Sequence, residues 1–225
     1  MLEILYQDEH LVAINKPHGL LVHRSKIAKD VDEFAIQLLR DQINQIVFPV
    51  HRLDRKTSGI LLFALSKEVN SIMQQQFMNH EIEKKYLAIV RGYTEDKTTI
   101  DYDLKREDGK IQNAITKFIT LQKTEANFSS NGFDTSRYSL IELSPQTGRF
   151  HQIRKHMAHL RHPIIGDRPH GCNKQNKLFL ERFNLSSMML HALNLIFIHP
   201  MTNQEVIITA DTSKEFSRMK EVLEF

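Results

Sequence analysis

The sequence predicts an α+β fold with a mixed, mainly antiparallel sheet flanked by helices and loops. Three observations carry this. Extended segments outnumber helical ones. Several successive extended segments are joined by short polar turns, the condition under which antiparallel pairing dominates. Few stretches repeat apolar residues at helical spacing.

Taken in order, Leu2 to Tyr6 and Leu11 to Asn15 read as strands around the polar turn Gln7-Asp8-Glu9-His10. Lys16-Pro17-His18-Gly19 then breaks regularity. Asp32 to Ile46 carries Phe34, Leu38, Leu39, Ile43 and Ile46 at helical spacing and predicts a helix. Gly59 to Leu65 has a buried-strand pattern, and Ser66 is placed to cap a helix over Lys67 to Asn79. Strands follow at Lys84 to Val90, Ile100 to Leu104, Ala114 to Leu121 and Arg137 to Leu143, with polar loops at Lys105 to Asn113 and Glu125 to Asp134. His151 to Leu160 predicts a helix that stops before His162-Pro163, since the residue before proline resists helical geometry. Asn173 to Leu185 reads as a loop with a short helix, Leu190 to Ile198 and Val206 to Thr209 as strands, and Lys214 to Leu223 as a closing helix.

With 41% hydrophobic and 25% charged residues over 225 positions, the composition is that of an ordinary globular protein. A net charge of +3 permits an anionic partner without demanding one. The lone Cys172 excludes an intramolecular disulfide and fits a reducing compartment. The N-terminus lacks the pattern of a signal peptide, and no apolar run is long enough to span a bilayer, so a cytoplasmic protein with no membrane partner is expected. No linker divides the chain, which predicts one domain over 1–225.

Four segments offer chemistry. His51-Arg52-Leu53-Asp54-Arg55-Lys56-Thr57-Ser58-Gly59 sets one carboxylate between two arginines. Fixed positive charge favours the ionised acid, suited to act as nucleophile or base, and the guanidiniums suit phosphate. The competing reading is a turn whose aspartate bonds local amides. Thr147 to Asp167 crowds Arg149, His151, Arg154, Lys155, His156, His159, Arg161 and His162 into one span, with Ile153, Met157 and Leu160 forming an apolar helix face. Its histidine spacing raises zinc, but no cysteine or glutamate in the span completes a ligand set, and a basic surface for phosphate fits better. Lys85 to Gly92 places Tyr86 either in a core or in a site where a phenol stacks on a base or moves a proton. Asn15-Lys16-Pro17-His18-Gly19 is a rigid turn with a lysine able to meet phosphate.

Taken together and in this order, these segments resemble the RluA family of pseudouridine synthases. The likeness rests on Asn15-Lys16-Pro17-x-Gly19 with Val22-His23, His51-Arg52-Leu53-Asp54-Arg55-x-Thr57-Ser58-Gly59, and Lys85-Tyr86-x-Ala88-x-Val90-x-Gly92. It continues through Thr147-Gly148-Arg149-x-His151-Gln152-Ile153-Arg154-x-His156, His162-Pro163-Ile164-x-Gly166-Asp167 and Leu190-His191-Ala192. Each motif alone is weak; the ordered set is specific. A closer likeness, carried by Leu2 to Asp8, Arg40 to Ile43, Thr135 to Tyr138 and His159 to Asp167, is to a member that modifies uridine-65 of tRNA.

The resemblance implies that the C1′–N1 glycosidic bond of a uridine breaks, the base turns, and C5 joins C1′. It implies Asp54 as the essential carboxylate, acting on ribose or base, Arg154 as its ion-pair partner, and Tyr86 against the uracil. Arg52 would enter the RNA stack when the target base is flipped out, an extrusion that costs a few kcal/mol. Ile153 and Leu190 would line the pocket; beside the resemblance, Lys16 and His51 are further expected substrate contacts, and Arg55 is expected as a phosphate contact or a structural residue. The resemblance implies RNA as partner, tRNA first, and no metal or organic cofactor; a monomer is expected, and the chain reads as starting at the catalytic domain without an S4 domain. The reaction needs no second acid, unlike glycosidic hydrolysis, and Asp167 reads as a turn residue. The alternatives are the same chemistry on ribosomal RNA, a non-catalytic RNA-binding module, and a metal-dependent nuclease using the histidines.

Overall fold

The structure, a computed structural model, describes residues 1–23, 33–129, 132 and 134–225. In chain order its elements are β1 (Glu3–Gln7), β2 (Leu11–Lys16), α1 (Ala35–Ile43), β3 (Phe48–Pro49), β4 (Ser58–Ala64), α2 (Lys67–Met78), β5 (Glu83–Arg91) and β6 (Lys97–Asp101). There follow β7 (Leu104–Lys105), β8 (Ile111–Gln112), β9 (Ile115–Ala126), β10 (Ser136–Pro145), α3 (Gln152–His159), α4 (Asn173–Phe183), β11 (Leu190–Ile198), β12 (Glu205–Thr209) and α5 (Lys214–Val222). The fold is α+β, and the ladders joining β1–β2, β2–β4, β3–β4, β5–β10, β9–β10, β6–β9, β7–β8 and β11–β12 are all antiparallel. The chain forms two compact units, Met1–Lys84 with Ala192–Thr212, and Lys85–His191 with Ser213–Phe225.

In the first unit the strand order is β1-β2-β4-β11, with β12 on β11 and β3 on β4. All seven residues of β4 are buried, as an uninterrupted apolar run requires when both faces are covered. Leu11, Ala13, Ile60, Leu62, Leu195, Phe197 and Ile208 pack against Val69 and Met73 of α2. Ser66 caps α2 by accepting from the Val69 amide at 3.2 Å, as its sequence position predicts. The β2–β4 register sets Lys16 opposite Gly59. Gly59 has φ +104, and a Cβ there would lie 2.2 Å from the Ala192 carbonyl oxygen. Gly59→Ala therefore combines a forced backbone with a collision against main chain. It is expected to lower stability by more than about 3 kcal/mol in urea melts. A loss below about 1 kcal/mol would show that β4 can shift to make room.

In the second unit the order is β5-β10-β9-β6, with β7–β8 as a separate hairpin. Phe128, Tyr138, Phe179 and Phe183 form an aromatic cluster with ring centroids 5.4 to 6.3 Å apart.

Four expectations are corrected. Lys105 to Asn113 is not a loop: β7 and β8 turn at Gly109, with φ +85, and the Asp108 carboxylate accepts the Lys110 amide. The strand expected to end at Leu121 runs to Ala126, because β10 pairs its polar half as far as Ser136↔Ala126. Residues 130, 131 and 133 of the second expected loop, and Asp32 of the first expected helix, lie outside the described residues. That helix ends at Ile43, where Asn44 adopts a left-handed C-cap. Asn173 to Phe183 is a regular helix, since Gln175, Phe179 and Phe183 recur every fourth residue and the first two are buried.

Candidate active site

The Asp54 turn is built in the first unit. Asp54 is half-buried, and its carbonyl accepts the Thr57 amide at 3.1 Å, closing a tight turn just before β4. A second turn braces it. Gly19 N–H donates to the Arg55 carbonyl at 2.8 Å, and Arg55 Nε returns a bond to the Gly19 carbonyl at 3.0 Å. Beneath both, the Lys16 ammonium is fully buried and donates to the carbonyls of Pro17, Leu20 and Arg55 at 3.0, 2.9 and 3.2 Å. Three carbonyls match the three N–H donors of the charged form. Burial pushes the group down to about 7, opposed by the charge of Asp54. Lys16 is thus not the phosphate contact that its turn suggests: its donors are spent inside the protein.

His51 is likewise a brace. Its Nε2 accepts the Leu62 amide at 3.1 Å, which fixes the proton on Nδ1, and its ring stacks on Phe77 at 4.9 Å. Burial, then the charge of Lys84, drops the imidazole to about 3. A group whose folded value lies below its unfolded value of 6.5 stabilises the protein above 6.5 and loses that contribution as pH falls toward 3. His51→Gln is expected to flatten urea stability between pH 6.5 and 5, where the native histidine contributes at most about 1.4 kcal/mol per pH unit. Equal slopes for the two proteins would remove His51 as the cause. Arg52 is exposed on the turn, and Leu53 beside it is buried.

The second unit holds the remaining residues. Tyr86 lies half-buried on β5, paired with Leu143. Leu190 opens β11, 2% exposed, and Ile153 on α3 is 7% exposed. Arg154 on the same helix is 4% exposed, and its guanidinium grips Asp167 in a two-pronged ion pair, Nε to Oδ2 at 2.8 Å and Nη2 to Oδ1 at 2.7 Å. Burial pushes the Asp167 carboxyl up, but the bonds and charge of Arg154 outweigh it and hold the acid below its ordinary range. Asp167 is more than the turn residue its sequence suggests.

The turn that presents Asp167 is itself pinned. Asn176 accepts the Gly166 amide at 2.9 Å and donates to the Asp167 carbonyl at 2.7 Å. A Cβ at Gly166 would meet the Ser187 carbonyl oxygen at 2.0 Å.

α3 is held by a polar network. Gln152 accepts from the Thr147 hydroxyl and the Arg149 amide, and donates to the Ile115 carbonyl and the Thr116 hydroxyl. His156, fully buried, contacts the Tyr102 carbonyl through Nε2 at 3.0 Å and the Thr116 hydroxyl through Nδ1 at 2.9 Å. The carbonyl can only accept, so Nε2 carries the proton and both ring nitrogens are engaged. His162 donates through Nδ1 to the Arg91 carbonyl, and His159 stacks on Tyr102 at 3.7 Å. These histidines serve the frame of α3, and among the described residues no three His, Cys, Asp or Glu side chains group as a metal site.

A family model described as RNA pseudouridylate synthase matches residues 10–159. The chain belongs to the RNA pseudouridylate synthase family. The matched span carries Lys16, Asp54, Tyr86 and Arg154, while Asp167 and Leu190 follow it. A curated relative from Vibrio vulnificus, tRNA pseudouridine synthase C, is 52% identical over 100% of this chain and 96% of its own. The protein of the same name from Haemophilus influenzae is 46% identical over 97% of this chain and 96% of its own. Among solved structures, human RNA Pseudouridylate Synthase Domain Containing 4 aligns with a TM-score of 0.75 at 26% identity, covering 99% of this chain and 93% of that one. Human RNA Pseudouridylate Synthase Domain Containing 1 gives 0.76 at 25% identity, covering 94% and 84%. The synthase is an RNA isomerase of α+β architecture. Sequence reasoning missed the Lys16 clip and the Arg154–Asp167 pair. The signal for the second was an acid following Gly166, where a pinned turn aims the side chain.

Proposed function

We propose that this synthase isomerises one uridine of tRNA, uridine-65, to pseudouridine through Asp54. The observation that carries the reading is a half-buried carboxylate on a turn locked by Lys16, Gly19 and Arg55, in a chain of this family. The choice of tRNA draws support from relatives about half identical along nearly all of the chain.

In this reading Asp54 acts at the uridine when the glycosidic bond breaks. Tyr86 lies against the uracil, Ile153 and Leu190 wall the pocket, and Arg52 fills the gap left in the RNA stack. Pairing of Arg154 with Asp54 rests on the family resemblance, and Arg55 both braces the turn and meets RNA phosphate. Lys16 and His51 act through the turn they hold. The chain works as a monomer and as one catalytic domain, in the cytoplasm. Among the described residues no helix is long and apolar enough to cross a membrane.

The test is incubation of purified protein with unmodified tRNA and with ribosomal RNA, followed by pseudouridine mapping. One new pseudouridine at position 65 of tRNA is the expected result. Modification of ribosomal RNA alone overturns the choice of substrate, and modification of neither overturns the reading.

A further inference from the structure

At the end of β5 the second unit forms a cavity of about 310 Å³, lined by Arg91, Arg137, Tyr138 and Gln175 with Gly92 and its neighbours. None of its lining residues is acidic. Tyr138 and Gln175 form its polar floor: both are buried, and the Gln175 amide donates to the Tyr138 hydroxyl. Tyr138 pairs directly with Arg91 across the β5–β10 ladder.

Arg91 is the unusual member. Its backbone is fully used, the amide donating to the Pro163 carbonyl at 3.1 Å and the carbonyl accepting from His162 at 2.9 Å. Its half-buried guanidinium has, among the described residues, one hydrogen-bonding contact: the Cys172 sulfur at 3.8 Å, a weak acceptor. A guanidinium carries five N–H donors in a fixed fork that matches the oxygens of carboxylate or phosphate. By contrast Arg137 is already engaged, paired with Glu125 at 3.4 Å and lying over the Tyr93 ring at 5.2 Å. α4 starts beside Arg91, at Cys172, with no side-chain cap, so the helix adds potential of the same sign. Tyr86 and Arg91 are five residues apart on one strand, and strand alternation turns their side chains to opposite faces. The cavity is therefore separate from the uracil site assigned to Tyr86.

We propose that this cavity binds a phosphate group, gripped by the fork of Arg91. The phosphate belongs either to the backbone of bound tRNA, which rests on the proposed function, or to a small phosphate compound, which does not.

The experiment compares wild type, Arg91→Gln and Arg91→Lys. tRNA affinity is read across a salt series, KM and kcat on tRNA, and the melting shift caused by inorganic phosphate or pyrophosphate. If the group is an RNA phosphate, Arg91→Gln weakens tRNA binding about tenfold. The slope of log affinity against log salt then falls by about 0.7 to 0.9, and KM rises while kcat holds. If it is a small ligand, phosphate raises the melting temperature of wild type and not of Arg91→Gln, with tRNA binding unchanged. Arg91→Lys, which keeps the charge and loses the fork, shows either pattern in weaker form, and carries the test should Arg91→Gln fail to fold. A folded variant with unchanged salt slope, KM and phosphate response overturns the proposal. Wild type that forms no pseudouridine yet shows the Arg91-dependent phosphate shift overturns the proposed function and leaves this site standing.

Discussion

Asp54→Asn is expected to cut pseudouridine formation by about 10³-fold or more, within the range lost when a positioned catalytic carboxylate is removed. The change keeps the size of the side chain and removes its charge. The turn survives it, because the closing bond uses the Asp54 carbonyl and the bracing bonds use Lys16, Gly19 and Arg55. tRNA affinity should stay near that of wild type, so the loss appears in kcat. Tritium release from tRNA carrying 5-³H-uridine measures it. An Asp54→Asn enzyme within tenfold of wild type would remove Asp54 from the chemistry.

Asp167→Asn is expected to act on stability first. It leaves Arg154, 4% exposed, without this carboxylate. Removing one partner of a buried pair costs about 3–5 kcal/mol, because the other, desolvated charge loses its two-pronged ion pair. For a chain of this size that lowers the melting temperature by about 10 °C. The native pair also has a defined acid limit. A carboxyl held below its ordinary 3.8 contributes stability above that value and loses it as pH falls further. A melting temperature within about 2 °C of wild type would show that Arg154 finds another acceptor. The two asparagine variants thus separate: the first loses turnover and keeps its fold, the second loses stability.

Much of this was legible in the sequence for a specific reason. β4 and α2 are dictated locally, by an unbroken apolar run and by a serine placed to cap. α3 announces itself through Ile153 and Met157 on one face and a proline beyond its end. What was hidden depends on partners remote in the chain. The outer half of β9 is Thr-Leu-Gln-Lys-Thr-Glu-Ala, polar and exposed, and becomes a strand only because β10 supplies its hydrogen bonds. The β7–β8 hairpin has two-residue strands, too short for alternation to show, although Asp108-Gly109 is a recognised hairpin signal. Lys16 reads as a lysine in a rigid turn, able to meet phosphate. Nothing in its neighbourhood says that the Arg55 carbonyl, 39 residues on, will receive its ammonium. The turn around Asp54 stood out in the sequence; the bonds that hold it still did not.

That buried ammonium makes the Asp54 turn a structure shared between remote parts of the chain. The Asp54 turn is braced only when β2, the Gly19 turn and the segment before β4 have already met. A nascent or partly opened chain carries the aspartate in sequence but not in register with its support. Opening β2 from β4 removes the support of the aspartate without touching the aspartate itself.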